Sequence, residues 1–147
     1  MNKKPEKDFQ NAFAQLAQFM GCTLEEIPDY IPDGDGRGGY RKFKAKKRPF
    51  DAVLVTPLRV YCLEFKYQNG VCLPHQENTG RRIRKVNRVA YFVVRKKVLK
   101  KTGTIYTIED DLKNVIFQTN DMQKLIKIFK EEDRGTGLKD KNGKEAF

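Results

Sequence analysis

The chain contains no run of about 18 apolar residues, and its opening MNKKPEKDF carries charge with no apolar segment behind it. Neither a membrane-spanning helix nor a secretory leader is expected, and cytoplasmic residence is the default. Cysteine is scarce: Cys22, Cys62 and Cys72 are odd in number and lack the CxxC spacing of a zinc site, so structural or inert thiols are expected. His75 is the sole histidine, and a packed or solvent-facing turn residue is favoured there over a catalytic base. Acidic residues are in deficit, with 19 Asp and Glu against 30 Lys and Arg, a net charge of +11 over 147 residues. Such an excess favours polyanionic partners, of which nucleic acid is the commonest.

What is present fits one soluble domain with a single core, placed at residues 1–132, followed by a polar, frayed tail at 133–147. The clearest helix spans residues 5–20, where Phe9, Ala12, Phe13, Leu16 and Met20 recur at helical spacing between Pro5 and Gly21. Thr23 and Glu26 read as a capping box for a short helical turn limited by Pro28. Asp33 to Gly39 reads as a loop, because the acidic ligand pattern of a calcium loop is incomplete and its twelfth position is Lys44. Tyr40 to Lys46 alternates aromatic and basic residues as a half-exposed strand. Its run RKFKAKKR supplies Arg41, Lys42, Lys44 and Lys47 as candidate contacts to a phosphate backbone; a solvated, lysine-protected edge strand is the plain alternative.

The segments Phe50 to Thr56 and Arg59 to Tyr67 read as a β-hairpin turning at Pro57-Leu58. Symmetric pairing sets Val55 opposite Val60 and Asp51 opposite Glu64, and the alternation of strand side chains brings Lys66 to the same face. Like charges directly opposed destabilise a sheet, so this acid pair calls for a cation between its members, either a divalent metal ion or Lys66 itself. Leu73 to Asn87 predicts a helix that begins at Pro74, carries Gln76 in its first turn, and presents Arg81, Arg82, Arg84, Lys85 and Arg88 as a phosphate track; Thr79-Gly80 weakens it. Strands are expected at Val89–Val98, Thr104–Ile108 and Val115–Gln118, and a last amphipathic helix at Asp121–Glu131 with Asp121 as its N-cap. The order is that of an α/β sheet with helices packed against it.

Asp51 within Pro49-Phe50-Asp51, Glu64-Phe65-Lys66 on the following strand and Gln76 opening a helix together resemble the PD-(D/E)XK nuclease superfamily over roughly residues 5–95. The local pattern, with His75 before Gln76, is most similar to RecU-type and archaeal Holliday-junction resolvases and to VRR-NUC nucleases. Phe50 separates the Pro and the Asp, and no counterpart of the long insertion by which RecU-type enzymes grip a junction is found.

The resemblance implies a restriction-endonuclease-like mixed sheet flanked by helices and a metal-dependent DNA endonuclease. It implies that Asp51, Glu64 and the main-chain carbonyl of Phe65 hold Mg²⁺, with Mn²⁺ as substitute, and that Glu6 in the first helix is an outer ligand. Lys66 would orient the attacking water or stabilise phosphate charge, and Gln76 would fix that geometry. Branched DNA would be the substrate in recombination or repair, and symmetric cutting would call for a homodimer. Competing readings are a flap- or restriction-type nuclease, a non-catalytic nucleic-acid-binding scaffold, and a purely structural ion-pair cluster. The plain reading of Glu6 is a first-turn acid that complements the helix dipole.

Overall fold

A computed structural model describes residues 4–28, 30–31 and 46–131. The expected 133–147 tail, the Asp33–Gly39 loop and Arg41, Lys42 and Lys44 lie outside the described residues. Lys47 is described only in its backbone, as part of a two-residue strand.

The elements in chain order are α1 (Lys4–Phe19), β1 (Thr23–Glu26), β2 (Tyr30–Ile31), β3 (Lys46–Lys47), β4 (Ala52–Val55), β5 (Val60–Tyr67), α2 (Pro74–Val86), β6 (Tyr91–Leu99), β7 (Gly103–Glu109), β8 (Val115–Thr119) and α3 (Met122–Glu131). Six strands form one mixed sheet in the order β1-β4-β5-β6-β7-β8, while β2 and β3 pair separately. Only β5 and β6 run parallel, joined by the α2 crossover; the other neighbours are antiparallel. The fold is α/β, a mixed sheet flanked, among the described residues, by three helices.

The two faces of the sheet differ in chemistry because strand side chains alternate. One face carries Leu54, Leu63, Phe65, Phe92, Val94 and Ile108, all buried, and α1 and α3 cover it with Phe9, Phe13, Leu125, Ile126 and Phe129. The rings of Phe9 and Phe13 meet Phe65 edge-on at 5.4 and 5.2 Å. The other face carries Glu64 and Lys66 on β5, Tyr91 and Arg95 on β6, and Thr107 and Glu109 on β7, and α2 lies against it.

Two expectations change. Thr23 to Glu26 is not a helical turn but β1, paired with β4 from Thr23↔Val55 to Glu26↔Ala52. Leu24 packs on the core there, a burial that a single capped turn ending at Pro28 would not provide. The central strand β6 starts at Tyr91 rather than Val89, because Ala90 N–H closes a turn onto the Asn87 carbonyl. Gly80, a cost to the helix on propensity alone, has a packing reason: a Cβ at that position would lie 2.5 Å from the Tyr91 ring. Asp121 caps α3, its Oδ1 accepting from Gln123 N–H at 2.9 Å.

Candidate active site

The β4–β5 ladder follows the symmetric register from Val55↔Val60 to Ala52↔Leu63 and then stops. Asp51 N–H donates to the Leu63 carbonyl at 3.1 Å, one position out of that register, so Asp51 does not sit squarely opposite Glu64. Its carboxylate turns inward and Oδ2 accepts from Phe65 N–H at 2.7 Å. A side chain thus replaces the next ladder bond just before β4 begins, where β5 continues, and that substitution places Asp51 beside Glu64.

Asp51, Glu64, Lys66 and Gln76 are all buried. Gln76 joins three of the elements around them. Its amide nitrogen donates to Glu64 Oε1 at 2.9 Å, and its Oε1 accepts from Lys66 Nζ at 3.2 Å and from Leu73 N–H at 2.8 Å. The last bond satisfies an orphan donor at the start of α2, so the helix terminus and the site are held by one side chain. Arg95 stands opposite Lys66 in the parallel ladder, and Glu109 takes up its charge in a two-pronged pair at 2.6 and 3.3 Å. Lys66 therefore keeps its ammonium for Gln76 and the acid pair.

The Glu64 carboxyl is pushed up to about 10, first by burial, then by the charge and hydrogen bonding of Asp51; Lys66 and Arg48 pull the other way without prevailing. Among the described residues no donor reaches the buried Glu64 Oε2. Two neighbouring carboxylates, one of them with an oxygen that no described donor reaches, are hard-oxygen donors of the kind that suits Mg²⁺ or Mn²⁺. Among the described residues no group of three or more His, Cys, Asp and Glu side chains converges for a metal, so a cation here would rest on two carboxylates and main-chain or solvent oxygen.

Glu6 is half-buried in the first turn of α1, on the helix that covers the Phe65 face rather than the Glu64 face. His75 is half-buried in the first turn of α2. Of the basic track, Arg81, Arg82, Lys85 and Arg88 are exposed. Arg84 turns inward: it pairs with Asp111 at 2.7 Å, donates to the Tyr91 carbonyl at 3.0 Å and lies 5.1 Å from the Phe92 ring centre. Its guanidinium anchors α2 to the sheet. Sequence reasoning passed over Arg48, whose guanidinium lies 2.6 Å from Asp51 Oδ1 and also donates to the Ile27 carbonyl at 3.1 Å. The only available signal was its position three residues before Asp51, inside a basic run.

Comparison with family models, curated proteins and solved structures finds no match for this chain. No helix among the described residues is long and apolar enough to cross a membrane.

Proposed function

We propose that this chain is a metal-dependent DNA endonuclease of the PD-(D/E)XK type, acting on branched DNA, with the four-way junction as the favoured substrate. The observation that carries the reading is the buried Asp51/Glu64 pair, with no donor to Glu64 Oε2 among the described residues and with Lys66 and Gln76 fixed beside it. Burying two like charges together is costly unless a cation or proton resolves them. Asp51, Glu64 and the Phe65 carbonyl would hold the cation, which supplies Lewis-acid polarisation of the scissile phosphodiester and acidifies water. Lys66 presents a positive charge where phosphate charge grows in an in-line displacement, and Gln76 keeps it aimed there. The net charge of +11 and the exposed Arg81, Arg82, Lys85 and Arg88 supply the attraction for the backbone.

The test is cleavage of labelled four-way junction, flap, duplex and single-stranded DNA in Mg²⁺ or Mn²⁺, with Asp51→Asn alongside. Paired symmetric nicks on the junction are expected from the wild type. The variant should cut roughly 10²- to 10³-fold more slowly, as losses of charge-stabilising groups do, while still binding. Cutting of another substrate keeps the chemistry and changes the preferred DNA; absence of metal-dependent cutting on all four refutes the reading.

A second reading rests on Arg48. Because its guanidinium already neutralises Asp51 at 2.6 Å, the cluster can be a self-contained polar network inside a DNA-binding scaffold. In that case Mg²⁺ and Mn²⁺ leave the melting temperature unchanged, whereas a functional cation site raises it by mass action.

A further inference from the structure

The strands β6 and β7 continue past the end of β5 as a two-stranded ribbon. Tyr67, the last residue of β5, pairs with Lys96, while the β6–β7 ladder runs on through Lys97↔Ile105 and Val98↔Thr104 to Leu99↔Gly103. The direction of that projection matters. Because β5 and β6 are parallel, the ribbon leaves the sheet at the same end as Lys66. From Arg95, opposite Lys66, to Leu99 is four residues, about 13 Å at roughly 3.3 Å per strand residue.

The ribbon is uniformly basic. Lys96, Lys97, Lys100 and Lys101 lie on it or at its tip, and no acidic residue occurs between Arg95 and Glu109. Lys100 and Lys101 are exposed, Lys96 and Lys97 half-buried, and none of the four pairs with a carboxylate among the described residues. Val98 and Leu99 beside them are 43% and 41% exposed.

The ribbon is also tied to the candidate active site. Beyond the end of β5, Gln68 extends the ladder with its side chain: its Oε1 accepts from Val98 N–H at 3.0 Å and its amide nitrogen donates to the Val98 carbonyl at 3.2 Å. Gln68 holds a left-handed φ of 55°, a conformation uncommon for a residue with a side chain. Arg95 completes the brace by donating to the carbonyls of Gln68 at 2.8 Å and Gly70 at 2.6 Å, in the turn that connects Lys66 to the helix of Gln76. The position of the ribbon relative to Lys66 is therefore fixed by five hydrogen bonds and an ion pair rather than by a free loop.

We infer that this ribbon is a phosphate-binding arm for duplex DNA, holding the backbone about four base pairs from the site of cutting; the span follows from ~13 Å divided by ~3.4 Å per base pair. The inference deepens the nuclease reading and rests on it for the word cutting, but the binding arm stands or falls separately. Unpaired cations on a rigid support lose little freedom when they meet phosphates, and the exposed Val98 and Leu99 suit the sugar edge of a groove.

The experiment measures binding without cleavage. Lys100→Gln/Lys101→Gln is compared with Lys124→Gln/Lys127→Gln, which removes the same two charges from exposed positions on α3, on the other face. Both are titrated in EDTA against labelled duplex and four-way junction from 0.05 to about 0.5 M salt. The ribbon variant should lose roughly tenfold in affinity at 0.1 M salt, and its slope of log affinity against log salt should become shallower by about 1.8, the value for two lost phosphate contacts. The α3 variant should change by less than about threefold. Equal losses in both variants would mean a diffuse field and no arm; no loss in the ribbon variant would overturn the proposal directly. A wild type that binds phosphatidylserine vesicles but not DNA would overturn it too, in favour of a membrane surface. If the ribbon variant loses DNA binding as expected but the wild type cuts nothing in Mg²⁺ or Mn²⁺, the arm stands and the nuclease reading fails. Thermal melts of both variants, expected to match wild type because the replaced side chains are exposed, exclude misfolding as the cause.

Discussion

Glu64 has two lives at residue scale, depending on what neutralises it. Its carboxyl, raised to about 10 in the fold and near 4.5 when the chain is unfolded, binds a proton in the native state that the unfolded state has released. Between those values the native state holds more protons, so metal-free stability falls as pH rises from about 4.5 towards about 10. Glu64→Gln keeps the shape and removes the titration. In EDTA the variant should melt at about the wild-type temperature at pH 5 and several degrees higher at pH 8, since even ~1 kcal/mol is about 2 to 4 °C for a chain of this size. Added Mg²⁺ should reverse that order at pH 8, stabilising wild type and leaving the variant unmoved. A wild-type melting curve flat with pH would mean that Arg48 and Lys66 already balance the pair.

At the scale of elements, α2 is held to the sheet by fit as much as by charge. Gly80→Ala improves helix propensity by about 1 kcal/mol, yet its methyl would sit 2.5 Å from the Tyr91 ring, and overpacking of that kind costs about 1 to 3 kcal/mol. The variant should therefore unfold at lower denaturant than wild type and cut more slowly, because Gln76 rides on the same helix; a denaturation midpoint at or above wild type would show that Tyr91 yields freely. The hairpin, α1, α2, α3 and the three later strands were legible in the sequence because each has its own periodicity or terminus signal: Pro74 opening α2, Asp121 capping α3, Phe9 and Phe13 at helical spacing. β1 was not, since Thr23 and Glu26 satisfy a capping box locally and only the distant β4 makes them a strand. Asp51 was found by register, but its true setting came from the ladder ending at Ala52↔Leu63, an event no local pattern encodes. Arg84 looked like its exposed neighbours because a helix stripe of cations does not reveal which one turns towards Asp111.

For the whole molecule, one candidate site per chain and a net charge of +11 pull in opposite directions. Resolving a two-fold symmetric junction takes two matched cuts, which asks for two copies of the chain, while self-repulsion between two such cationic copies opposes their association in low salt. On the proposed function, DNA would remove the conflict by neutralising both. Sedimentation of the protein should show more dimer as salt rises from 0.02 to about 0.15 M, as screening shortens to about 8 Å, and more again when junction DNA is present. The functional consequence is decided by subunit mixing. Wild-type chains combined with an excess of Asp51→Asn chains and given a plasmid bearing an extruded cruciform should yield nicked circles, because each mixed dimer has one competent site. Wild type alone should yield linear plasmid. Independent monomers would instead give linear product from the mixture at a reduced rate, which would rule out paired cutting by a dimer and move the substrate to one that needs a single nick, such as a flap.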